Sequence, residues 1–93
     1  MLVELVQLKE SNQRYSLNKI YLNPSHIVYI SENEKIKKIV SENKDQFGFV
    51  EGTTFSTIRV SDAGLMTEIT VVGDPSTIES KIFNRNNRQV LRG

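Results

Sequence analysis

With 93 residues, no cysteine and one histidine, the chain has room for a single domain and lacks the thiols for a disulfide framework or a cysteine-based zinc site. Hydrophobic residues at 38% and charged residues at 25% describe a globular chain, not a disordered one. The net charge of +1 hides an asymmetry: residues 81–93 hold Lys81, Arg85, Arg88 and Arg92 with no acid, +4, against −3 for the rest, so the whole-domain basic footprint of DNA binding is missing.

Leu2-Val3-Glu4-Leu5-Val6-Gln7-Leu8 is too apolar for a loop and reads as a strand covered on both faces. Residues 9–13 form a polar turn, and Arg14-Tyr15-Ser16-Leu17 resumes extended structure as its hairpin partner. Residues 19–22 are apolar again, and Asn23-Pro24-Ser25 punctuates with a turn, since a residue before proline is biased away from helix. His26-Ile27-Val28-Tyr29-Ile30, rich in β-branched and aromatic residues, is a strand.

Ser31-Glu32-Asn33-Glu34 has the spacing of a capping box with Ser31 at the cap. Behind it Ile36, Ile39 and Val40 fall on one face of a short helix, with Glu34 and Lys38 spaced to pair. Residues 43–53 surround Phe47-Gly48-Phe49-Val50 with turn residues and read equally as loop or short strand. Residues 54–60 and 66–72 are two further strands joined by Ser61-Asp62-Ala63-Gly64, where Gly64 supplies positive φ. Gly73 ends the second strand. Asp74 caps a helix over 74–83 that begins on Pro75 and buries Ile78 and Ile82, with Phe83 beside them. Residues 1–83 thus form one α+β domain: a small antiparallel sheet, or a partial SH3-like barrel, of about five strands with an inserted helix and a C-terminal helix. Residues 84–93 form a basic, flexible tail.

The chemistry-bearing residues are sparse. His26 stands beside Ser25, and neighbours on an extended chain point to opposite faces, a poor dyad. Glu4, Glu51, Asp62, Glu68 and Asp74 lie in different elements, and Asp62 and Asp74 already serve a turn and a cap. No dinucleotide or Walker-type glycine loop is present. Phe47-Gly48-Phe49-Val50 overlaps the centre of an RNA-recognition pattern, but Asp45, Gln46 and Gly52 break its flanks, and the order of elements is wrong for that fold. The reading is a protein without catalytic, metal or cofactor residues.

Two stretches resemble the small FlbD/SwrD-type proteins of flagellar gene clusters. One is Tyr15-Ser16-Leu17-Asn18 running into Leu22-Asn23-Pro24-Ser25-His26-Ile27-Val28-Tyr29-Ile30. The other is Thr57-Ile58-Arg59-Val60, Gly64, Val71-Val72 and Ile78-Glu79-Ser80-Lys81-Ile82. Residues 31–53 are an insertion relative to that family, and the basic tail is extra. The layout through Val71-Val72-Gly73-Asp74-Pro75 is also similar to short uncharacterised proteins of T-even-like tailed phages. Both resemblances imply an accessory protein without catalysis, and neither carries over a functional residue.

The expected function is therefore protein–protein interaction by a phage-encoded accessory or regulatory protein, with Tyr15, Tyr21 and Tyr29 as interface residues. The alternative is nucleic-acid binding through Arg85, Arg88 and Arg92. A small core without covalent staples favours a reducing compartment or self-association. Residues 2–8, 66–72 and 47–50 are the expected edges for a homo-oligomer. No apolar run approaches the roughly 18 residues of a membrane span, and the N-terminus lacks a signal peptide's basic start, so the expectation is cytoplasmic, in the host if phage-encoded.

Overall fold

The computed structural model describes residues 1–12, 14–42 and 52–82. Five antiparallel strands, β1 (Val3–Ser11), β2 (Arg14–Leu22), β3 (Ile27–Glu32), β4 (Phe55–Asp62) and β5 (Leu65–Val72), form one sheet in the order β2-β1-β5-β4-β3. Helix α1 (Glu34–Glu42) is inserted between β3 and β4, and helix α2 occupies residues 75–82. The architecture is the expected small α+β fold.

Turn chemistry fixes the registers. Asp62 and Leu65 close the β4–β5 hairpin across Ala63 and Gly64, at φ 51 and 84. Positive φ at both central residues makes a type I′ turn, whose twist matches that of the strands. The β1–β2 hairpin closes between Ser11 and Arg14, with Asn12 at φ 51. Asn tolerates this left-handed conformation better than most residues. Between β2 and β3 the chain turns through a single 3-10 turn, Pro24–His26. There the Asn23 side chain accepts from the Ser25 N–H at 3.0 Å and the Ser25 hydroxyl at 2.8 Å.

Alternation along the strands divides the core between the two faces of the sheet. On one face Val3 and Leu5 of β1, Ile58 of β4 and Val71 of β5 pack under Ile78 of α2, with Ile20, Leu22, Ile30 and Ile82 around them. On the other, Leu8 and Phe55 pack under Val40 of α1, joined by Tyr15, Ile36 and Val72. Burying side chains of this size contributes about 1.5–3 kcal/mol each. The almost unbroken apolar run at the start of β1 follows, because that strand feeds both clusters.

Two expectations are corrected. Residues 2–8 and 66–72 are not edges: β1 lies between β2 and β5, and β5 between β1 and β4. The edges are β2 and β3, and joining first strand to last gives the order of a barrel left open between them. Helix α1 is capped by Asn33, not Ser31, which still belongs to β3. Asn33 accepts the Ile36 N–H on its side-chain oxygen at 2.9 Å and donates from its amide nitrogen to Thr57 Oγ1 at 3.0 Å, while its own N–H continues the ladder to the Phe55 carbonyl at 2.9 Å. One amide thus starts the helix and ties it to β4, which a serine hydroxyl two residues earlier cannot do.

Asp74 caps α2 as expected, accepting from the Thr77 N–H at 2.8 Å and the Ser76 hydroxyl at 3.2 Å. These hydrogen bonds, Thr77 first, hold its carboxyl below the usual carboxylate range. Phe83, residues 43–51 with Phe47-Gly48-Phe49-Val50, and the whole tail 84–93 lie outside the described residues.

Candidate functional site

Strand β2 pairs with β1 over its full length, Arg14 opposite Ser11 to Leu22 opposite Val3. A hairpin closed on Ser11 and Arg14 across two residues makes that pair a hydrogen-bonded one, and such pairs alternate along the ladder. Even-numbered residues of β2 therefore direct their N–H and C=O toward β1. Tyr15, Leu17, Lys19 and Tyr21 direct theirs outward, and among the described residues no strand meets them.

The side chains of these four residues share the face that α1 partly covers. Tyr15 packs against the Leu8 cluster, and its hydroxyl is held above the ordinary tyrosine value by hydrogen bonding to Glu10, by burial and by the charge of Glu10. Tyr21, 60% exposed, donates to Glu4 Oε1 at 3.1 Å, which likewise raises its pKa. Lys19 Nζ lies 3.6 Å from the same oxygen. That exposed pair is worth little in stability, about 0–1 kcal/mol, but it neutralises the one lysine on the outward row. Leu17, 45% exposed, completes the row.

Tyr29 sits at the opposite edge, on β3, facing Arg59 of β4. The Arg59 guanidinium lies 5.5 Å from its ring centroid and reaches Glu68 Oε1 at 3.5 Å, and the Tyr29 hydroxyl makes a long contact of 3.4 Å to Glu68 Oε2. Alternation puts all three tyrosines on one face, but Tyr15 and Tyr21 are five strands across from Tyr29 and do not form one patch with it. Edge β3 also differs in form: its register shifts between Ile27 and Tyr29, leaving Val28 as a bulge, a device that twists an edge away from partners.

The chain matches no known protein family, no curated protein and no solved structure. The reading therefore rests on its own geometry. His26 lies on the exposed 3-10 turn, and the adjacent Ser25 hydroxyl donates to Asn23. Glu4 and Glu68 are engaged by Lys19 and Arg59 on separate strands. No group of three or more metal-binding side chains gathers among the described residues, and no described helix is long and apolar enough to cross a membrane. The two surface depressions are shallow, one along α1 between Glu34 and Ser41, the other beside Met1, Pro24 and Ile82.

Arg85, Arg88 and Arg92 lie outside the described residues. Leu17, Asn18 and Lys19, between the two tyrosines of β2, were not singled out from sequence. The signal available was the alternation Tyr15, Leu17, Lys19, Tyr21, whose value depends on knowing that β2 is an edge.

Proposed function

We propose that the chain is a non-enzymatic accessory protein that acts by protein–protein contact, with the outer edge of β2 as its binding surface. An extended segment added there would continue the sheet through main-chain hydrogen bonds, while Leu17, Tyr21 and the stem of Lys19 set preference through side chains. One observation carries this reading. β2 is a nine-residue, proline-free strand with no break in its register to β1 and with no second neighbour among the described residues. Natural proteins usually blunt such an edge. The resemblance to short proteins of tailed phages and of flagellar gene clusters supports an accessory role, and a phage-encoded protein of this kind acts in the host cytoplasm.

The test is affinity purification from the native or infected cell of the chain and of its Leu17→Pro variant. Proline at 17 removes an outward N–H and leaves the bonds to β1 intact, so the circular dichroism spectrum stays native. Partners recovered with the parent chain are lost with the variant; recovery of the same partners by both excludes the β2 edge.

A second reading, nucleic-acid binding, draws on the acid-free stretch 81–93 with Arg85, Arg88 and Arg92. It predicts a salt-dependent shift of a labelled oligonucleotide that disappears when the chain ends at Asn84. Equal weak binding by both forms removes it.

A further inference from the structure

We infer that the occupant of the β2 edge is a second copy of this chain, paired antiparallel about a two-fold axis through Asn18. This rests on the reading of β2 as the binding edge and names its partner. Residues opposite one another in a sheet point to the same face, so a two-fold perpendicular to the sheet must pass through a residue, not between two. The choice narrows to the centre of the strand. Asn18 is the midpoint of Arg14–Leu22, and only a register centred on it pairs all nine residues of β2 with the nine of the second copy.

The side chains fit that register. Tyr15 falls opposite Tyr21, Leu17 opposite Lys19, Ser16 opposite Ile20 and Arg14 opposite Leu22, with the two Asn18 amides meeting at the axis. On the outward row this gives two aromatic cross-strand pairs flanking two pairs in which a lysine stem covers an exposed leucine. The strand carries two cations and no acid, yet neither cation meets its like. Shifting the centre to Lys19 sets Lys19 against Lys19, which like-charge repulsion disfavours. Shifting it to Leu17 takes Tyr21 past the start of the strand at Arg14.

A lysine on an edge strand commonly guards against such pairing. Here Glu4, 3.6 Å from Lys19 Nζ, cancels that charge within each copy. The outward residues Tyr15, Leu17, Lys19 and Tyr21 would exchange about eight main-chain hydrogen bonds with their counterparts, and the two five-stranded sheets would run on as one.

The absence of native cysteine makes the register directly testable. In the proposed pair the two Asn18 residues form a non-hydrogen-bonded pair with Cα atoms about 4.5 Å apart, at the short end of the ~4.4–6.8 Å that a disulfide spans. Under mild oxidation Asn18→Cys should form a covalent dimer at least about tenfold faster than Leu17→Cys, the difference reflecting effective concentration at the axis and vanishing in denaturant. Sedimentation velocity from micromolar to millimolar concentration should show a monomer–dimer equilibrium that Leu17→Pro abolishes with its fold retained. Equal rates for the two cysteine variants overturn the register. A monomer at every concentration overturns self-pairing altogether, and partner recovery by the parent chain but not by Leu17→Pro would then show that the edge serves another protein.

Discussion

Replacing Gly73 with alanine should be among the most damaging single-methyl changes in this chain. Gly73 joins β5 to the cap of α2 at φ +116, far from the left-handed well near +57 that an L residue can occupy. Holding a side chain in so sparsely populated a region costs about 1–3 kcal/mol. The backbone cannot rotate to relieve it. Its N–H is bonded to the Thr54 carbonyl at 2.8 Å, and its carbonyl accepts the buried Ser56 hydroxyl at 2.7 Å. The new Cβ would also sit 3.3 Å from Cδ1 of Ile78, a flexible tip inside a full core, which adds a few tenths of a kcal/mol.

The expected loss is about 2–3 kcal/mol from a total stability of about 5–15 kcal/mol. Gly64→Ala is the internal control: φ is +84 and no atom lies within 4 Å of the added methyl, so only the left-handed penalty of about 1–2 kcal/mol applies. Urea unfolding followed by far-ultraviolet circular dichroism, with the m-value checked for constancy, reads both variants. Combining Gly73→Ala with Ile78→Val, which removes Cδ1, should recover the steric part and leave the backbone part. If Gly73→Ala costs no more than Gly64→Ala, the argument from φ and the two anchored peptide groups is wrong.

Ile58→Ala, at a fully buried position between β3 and β5, should lower stability by about 2–5 kcal/mol, whereas Val28→Ala on the exposed bulge should stay within about 0.5 kcal/mol in the same unfolding assay. The Asp74 cap makes part of the stability depend on acid pH. Its folded-state pKa is depressed, so that contribution is complete above the unfolded value of about 3.9 and is lost as pH falls through the lower folded value. Asp74→Asn should flatten the urea midpoint across that window while still capping at neutral pH. Asn33→Asp should retain the start of α1 but lose donation to Thr57, costing about 1 kcal/mol. Asn33→Ala removes both contacts and should cost about twice as much in thermal unfolding.

The parts of the fold written in local chemistry were legible. Asp62-Ala63-Gly64 demanded a tight hairpin, Asp74-Pro75 opened a helix, and His26 to Ile30 had the residues of a strand. Strand order was less legible, because it is set by the meeting of β1 with β5, residues far apart in sequence, registered at Gln7 opposite Val71. The apolar start of β1 invited the idea of a sticky edge. The structure gives a different cause: odd positions Val3 and Leu5 serve the α2 side and Leu8 serves the α1 side. The cap of α1 was misplaced for the same kind of reason, since Ser31 and Asn33 look alike locally and only the Thr57 contact from β4 distinguishes them. For the candidate site, the tyrosines of β2 were named from residue type alone, and the residues between them went unnoticed because nothing local marks a strand as an edge.

The difference between the two edges bears on what kind of assembly this sheet can make. If β2 of one copy paired with β3 of the next, the contact would be heterologous and would propagate into an open fibre or a ring. The fold discourages that on the β3 side. The strand is six residues long, Val28 bulges out of register, and Asn33 turns the chain straight into α1 at its end. The β2 side carries none of these devices along its nine residues. Association is thereby directed to one edge, and a single free edge that is complementary to itself closes after two copies. Exposed charge alone would not achieve this, since Lys19 is neutralised by Glu4. Blunting one edge and leaving the other regular produces a pair that stops growing.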